Sequence, residues 1–197
     1  MSHRPLRSAT RVSHSSVEPA LVSVGLLPRA SAFALDYLPI AAYLVVLVVL
    51  GVALREAFPD ATARPFGHPV SAQAVGFVLV TLPVALYFAL SEASAWRATW
   101  GKRRLGLMVV TSDGARLGLG RSFARTAVKL LPWELSHAAV WGIALAGGEP
   151  APVHHALLAL VWLLVAANLA GIGVWRRAVY DAAVGTRVVR RSGRSGA

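Results

Sequence analysis

No cysteine occurs among the 197 residues, which excludes a disulfide framework, a thiolate metal site and a cysteine nucleophile, and leaves the redox compartment open. Acidic residues are scarce too: 9 Asp and Glu stand against 20 Lys and Arg, a formal net charge of +11. Charged residues of both signs make up only 15% of the chain, well under the quarter usual for a soluble domain. In their place the chain is 56% hydrophobic. That balance implies an integral membrane protein built as one compact unit.

Three apolar spans stand out, at about 30–54, 72–95 and 156–175. Each is near the ~20 residues that cross a ~30 Å hydrocarbon core. A weaker one at about 133–147, "WELSHAAVWGIALAG", carries Glu134 and His137. The basic residues decide whether it counts. With four spans and both termini in the cytoplasm, 18 of the 20 Lys and Arg fall inside, and only Arg55 and Arg64 fall outside. With three spans one basic block would face outward, against the positive-inside rule. The expected fold is therefore an all-α membrane protein: a four-helix transmembrane bundle, multi-pass, both termini cytoplasmic.

The basic charge thus reads as orientation plus attraction to anionic lipid headgroups at the cytoplasmic face. No recognition fold accompanies it, so nucleic-acid binding is not expected. The opening "MSHRPLRSATRVSHSSVEPALVSVG" has no apolar core followed by a cleavage site and does not read as a signal peptide. Residues 1–23 read as a disordered basic tail, 24–190 as the membrane domain and 191–197 as a second disordered tail.

Between the second and third spans lies "WRATWGKRRLGLMVVTSDGARLGLGRSFARTAVKLLP". Trp96 and Trp100 suit a membrane interface. "GLMVV" reads as a strand, "TSDG" as a turn and "ARLGL" as a return strand. In "RSFARTAVKLL", Arg121, Arg125 and Lys129 recur at i, i+4, i+8, which predicts an amphipathic interfacial helix with its cations among headgroups. "TRVV" near the C-terminus resembles "GLMVV", and pairing of the two would give a small cytoplasmic β-element. Pro39 and Pro83 lie inside spans and free the carbonyls of Leu35 and Leu79, which neighbours must satisfy.

Arg29 and Asp36 raise the main functional question. Seven residues on a helix make about two turns, so both side chains share a face about 10.5 Å apart along the axis. A lone charge at the depth of Asp36 costs about 2.5–3.5 kcal/mol. Asp36 is therefore either tied to Arg29 or backbone as a packing element, or it is a carboxylate that binds a proton or cation. Asn168, midway along the last span, is a further candidate partner.

With these residues in view, the chain resembles the RDD family of bacterial membrane proteins, named for one arginine and two aspartates. "RASAFALD" supplies Arg29 and Asp36, and "YDAAVGTRVV" supplies Asp181, Gly185 and Thr186. Between them the family's acidic residue and its Thr–x–Gly–Lys run into Gly–Leu–x–Val–Val match Glu92, Thr99, Gly101, Lys102, Gly106, Leu107, Val109 and Val110, and its helical arginine matches Arg125. "RATWGK" departs from a Gly-rich approach to the Thr, and "WELSH" lies outside the family's core pattern. The resemblance implies transport, with cation/proton exchange one form of it, or a role as a component of a membrane complex.

Other chemistry finds little support. "WGKRR" is no phosphate loop, because Trp96 stands where the first Gly belongs and Arg103 follows the Lys; Glu92 is expected to pair with Lys102 or an arginine instead. His154 and His155 are adjacent and project apart, which disfavours a metal. Glu134 and His137 share a helix face at i, i+3, but no second such pair exists, and a pH-sensitive hydrogen bond is the better reading. Ser136 beside His137 cannot orient a nucleophile. No metal, no cofactor and no enzymatic step are expected. The first expectation is transport of a small solute or cation, with Asp36 as the intramembrane carboxylate, Arg29 tuning it, and Asp181, Lys102 and Arg125 organising the cytoplasmic mouth. Four helices rarely enclose a pathway alone, so a homo-oligomer is implied. The alternative is a scaffold or assembly factor in which Arg29, Asp36 and Asp181 form a structural polar network.

Overall fold

Long apolar stretches with few internal breakers produce long helices, and the computed structural model, which describes residues 22–191, contains four of them. Helix α1, Leu26–Ala57, runs 32 residues through Pro39. None of its most apolar window is buried, and Val45, Val46, Val48, Val49 and Leu50 are all exposed. A helix apolar on every face and covered by nothing is matched to lipid rather than water. After the short α2, Pro59–Ala63, a second rod covers Pro69–Ala93. It consists of α3 (Pro69–Gly76), one π-helical turn (Phe77–Thr81) and α4 (Leu82–Ala93). Following the five-residue α5, Trp100–Arg104, come α6 (Leu119–Leu145) and α7 (Pro152–Trp175).

Three of these rods, Leu26–Ala57, Pro69–Ala93 and Pro152–Trp175, are long and apolar enough to cross a membrane. Their bounds exceed the sequence-based spans by a few residues at most ends, because the flanking turns keep helical hydrogen bonds. The fourth rod corrects the sequence reading. The amphipathic interfacial helix and the weak span at 133–147 are one continuous helix, α6, which runs through Pro132. Its 27 residues extend about 40 Å, and α6 packs against both α4 and α7.

The expected β-pairing is present. Strand β1, Leu107–Thr111, lies antiparallel to β2, Thr186–Arg190, with Val109 opposite Val188. Each strand is entered through a glycine in the left-handed region, Gly106 at φ +64° and Gly185 at φ +66°, which a side chain would strain. Val109, Val110, Val188 and Val189 are all buried, so both faces of the ribbon are covered. Two expectations differ. "ARLGL" does not return as a strand: β1 has β2 as its partner, and residues 115–118 lead directly into α6. Ser23, which composition groups with the basic tail, bridges to Val189, and the Val24 amide donates to the Val188 carbonyl at 3.0 Å. The rest of the N-terminal tail, 1–21, and residues 192–197 lie outside the described residues.

A small apolar core of Val24, Ala32, Leu107, Val109, Leu117 and Val188 therefore sits at one end of the helices. It fastens the ribbon to the first turns of α1.

Candidate functional site

The end that carries the ribbon also gathers the charged residues of the family motifs. Five turns of chain converge there: the start of α1, the end of α4, α5, the first half of α6, and α8, Val179–Ala183. Asp181 lies in the first turn of α8 and is wholly buried. Its Oδ2 accepts from Arg29 Nη1 at 2.5 Å, and its Oδ1 accepts from Arg125 Nε at 2.9 Å and Nη2 at 2.8 Å. The Thr186 hydroxyl adds a third donor to Oδ1 at 3.2 Å. Arg125 extends its remaining nitrogen to Glu92 Oε2 at 2.5 Å, and Lys102 Nζ donates to Glu92 Oε1. The result is one chain of ion pairs, Arg29–Asp181–Arg125–Glu92–Lys102, in which every member is at most 8% exposed. Arg29 also donates to the carbonyls of Val24 and Arg176 at 3.1 and 2.8 Å, tying the edge of the ribbon to the end of α7.

This arrangement corrects two expectations. Arg29 does not reach Asp36; its fork turns toward α8, with Nη1 on Asp181 and its other two nitrogens on the carbonyls of Val24 and Arg176. Arg125 does not lie among headgroups, because α6 rotates it inward between two carboxylates, and Arg121 is the exposed member of that series. Lys129 points inward as well: its ammonium lies 3.1 Å over the Phe88 ring, with no carboxylate at salt-bridge distance among the described residues. Burial pushes the Asp181 carboxyl upward, but Arg125 and Arg29 more than offset this and hold it below the usual carboxylate range.

Asp36 has a different environment. It is 1% exposed, and its partners are neutral. Oδ2 accepts from the Thr99 hydroxyl at 2.6 Å, and Oδ1 accepts from the Gly101 amide and the Tyr87 hydroxyl, both at 2.7 Å. The Tyr87 oxygen accepts in turn from the Trp100 amide at 3.1 Å. Asn168 is not a partner either: it donates to the Leu164 carbonyl at 2.8 Å and accepts from the Val179 amide at 3.1 Å, which holds α8 to α7. Gly101 is required by contact. A Cβ there would lie 2.1 Å from the Ala32 carbonyl oxygen and 2.9 Å from the Asp36 amide nitrogen, so only glycine lets α5 approach α1 closely enough to cage the carboxylate. The Thr–x–Gly–Lys run thus serves two acids, with Thr99 and Gly101 on Asp36 and Lys102 on Glu92.

Beyond this level α1 diverges from α4 and α6. The gap is an apolar crevice of about 210 Å³, lined by Phe33, Tyr37 and Ile40 on one side and by Thr81, Val84, Phe88 and Trp133 on the other. On the far side of Thr81 sits Glu134, which accepts from the Thr81 hydroxyl and from Gln73 Nε2, the latter at 2.7 Å. His137 does not join it; its Nδ1 contacts the Trp133 carbonyl oxygen at 3.0 Å and its ring stacks on Trp133. No group of three or more metal-ligating side chains occurs among the described residues. Sequence reasoning missed Tyr87, Gln73 and Thr81. Tyr87 lies in an apolar run and reads as core, and Gln73, a lone amide in the first turn of a span, is the one signal that was there to find.

No curated protein and no solved structure matches the chain. The model of the RDD family matches residues 23–185, a stretch that includes every member of the ion-pair chain and Asp36 with all its donors, and the chain belongs to the RDD family of membrane proteins.

Proposed function

We propose that the protein moves a small solute or cation across the bacterial plasma membrane, coupled to the charge state of Asp36. The observation that carries this reading is the Asp36 shell: a buried carboxylate whose three donors are a hydroxyl, a phenol and an amide, with no cationic side chain at salt-bridge distance among the described residues. Buried charges are otherwise paired, and a proton or small cation that comes and goes is the partner this site lacks. On this reading four helices cross, α6 being the fourth, both termini and the ribbon face the cytoplasm, and the basic residues there meet anionic lipid headgroups. The reading takes Arg29, Asp181 and Arg125 as a clamp that holds the pathway's inner end, includes no enzymatic step, and favours a homo-oligomer because four helices leave little room for an enclosed path.

A second reading, a scaffold or assembly factor, draws on the same clamp, in which every charge has a salt-bridge partner, and on the burial of Asp36. Cation-driven pH change in proteoliposomes separates the two. The intact protein should show flux with Na⁺, K⁺ or Li⁺, and folded Asp36→Asn should show none. Equal flux in both, or no flux from a well-folded intact sample, would transfer the assignment to the scaffold.

A further inference from the structure

Glu134 is an acidic side chain in the interior of a long helix that neither the clamp nor the Asp36 shell uses. Its Oε2 accepts from Gln73 Nε2 at 2.7 Å and its Oε1 accepts from Thr81. Trp133 Nε1 donates to the Thr81 oxygen at 3.1 Å, which leaves the Thr81 proton to Glu134. No Lys, Arg or His nitrogen forms a salt bridge with Glu134 among the described residues. Of the other polar groups nearby, His137 on the same helix is engaged with the Trp133 carbonyl, and His154 of α7 rests against Gly142, two turns away.

Two further observations point to a ligand. Gln73 Oε1 is buried and has no hydrogen-bond partner, although the same amide is anchored to Glu134 through its nitrogen. A buried amide oxygen without a donor is rare in a settled interior. Thr81 in turn is delivered by the π-helical turn Phe77–Thr81, a local widening that recurs at functional sites. Thr81 lies twelve residues from each end of the Pro69–Ala93 rod, about 18 Å from either, at mid-depth of a spanning helix. Tyr87, which marks the level of Asp36, lies six residues further along, about 9 Å away. The apolar crevice lies between these two levels and has Thr81 in its wall.

We propose that Glu134, Gln73 and Thr81 form a second site for a small hard monovalent cation of the sodium type, with the Glu134 carboxylate as the charged ligand and Gln73 Oε1 as a neutral oxygen ligand. One carboxylate balances one positive charge, whereas a divalent ion draws on more acidic oxygens. The oxygen-only donor set excludes soft metals. Turning the Gln73 amide about its last torsion exchanges donor for acceptor without a change in volume, so the site can present either to the carboxylate. The site deepens the transport reading and rests on that reading for its role as a station on the pathway; its occupancy does not depend on transport.

The test is equilibrium binding of radiolabelled Na⁺ to the full-length protein in nanodiscs, with choline as the control ion. The intact protein should bind Na⁺ saturably. Glu134→Gln should weaken that binding at least about tenfold, and Gln73→Leu and Thr81→Val should weaken it by less. Should Glu134→Gln fail to fold, Gln73→Leu carries the test, because it removes a neutral group. Wild-type Na⁺ binding in Gln73→Leu, or no specific Na⁺ binding by the intact protein, overturns the site. Absence of flux with Na⁺ binding retained defeats transport alone, and flux that persists when Glu134→Gln no longer binds Na⁺ defeats only the role of the site as a station on the pathway.

Discussion

Glu92 and Asp181, at the ribbon end, are answered by two guanidinium groups and an ammonium, whereas Asp36 and Glu134, along α1 and α6, are answered by hydroxyls and amides. Glu92, Asp181 and Asp36 are buried and Glu134 is half-buried, and they differ in what removal of a partner would do. In the ion-pair chain each charge has a fixed partner of opposite sign on another element, so the group holds five pieces of chain in one geometry. Around Asp36 and Glu134 the shell is shaped for a negative group, but among the described residues no cationic side chain lies at salt-bridge distance. A fixed pair suits architecture, and an uncompensated carboxylate suits exchange with something mobile.

The largest way to break this contrast is at Arg125, which serves two acids at once. Arg125→Met leaves Glu92 and Asp181 buried without their shared cation, and the expected loss is about 3–5 kcal/mol, measured by denaturant unfolding in mild detergent. Asp36→Asn, by contrast, keeps its shape and should unfold close to wild type. Next in size is Gly101→Ala. Its added methyl meets the Ala32 carbonyl and the Asp36 backbone, and overpacking of this kind costs about 1–3 kcal/mol. A Tm that does not move would show that α5 can withdraw from α1 without consequence.

Acid titration sharpens the same comparison. Asp181 is held below its ordinary range in the folded protein, chiefly by Arg125 and Arg29 against the cost of burial. A carboxylate depressed in this way contributes stability that is fully present above its unfolded pKa of about 4 and is lost as pH falls through the lower folded value. Unfolding free energy should therefore decline below about pH 4, and Asp181→Asn, already weakened, should decline less over the same interval. Equal slopes would remove Asp181 from the acid response. The smallest effect is expected far from the clamp, at Tyr43. Its hydroxyl donates to the Leu79 carbonyl at 2.5 Å, the acceptor that Pro83 releases from the helix ladder. Tyr43→Phe should cost about 1 kcal/mol, read as a modest fall in Tm, and a neutral result would mean that another group satisfies that carbonyl.

Much of the architecture was legible in residue order because its causes are local. Apolar runs long enough to span a bilayer became helices, the two Gly-led valine runs became paired strands, and the carbonyl freed by Pro83 needed a donor. Helix α6 was read as two pieces because its first half is basic and its middle holds Pro132, Glu134 and His137. Those features mark a break in sequence, yet the proline is tolerated and the charges turn inward once α4, α7 and α8 surround them.

Which acid meets which base could not be read from spacing at all. Seven residues put Arg29 and Asp36 on one face of α1, and that periodicity holds in the structure; the pairing does not follow it, because Arg29 finds Asp181, 152 positions away, and Asp36 finds Thr99 and Gly101. Composition and periodicity by themselves determined the membrane environment, the long helices, the β-pairing and the set of polar residues that could matter, since each depends on hydropathy or on neighbours a few positions apart. Only tertiary structure decided that five of those residues close into a chain of ion pairs while Asp36 and Glu134 have no salt bridge among the described residues, because that outcome depends on which helices turn toward one another after the chain has folded.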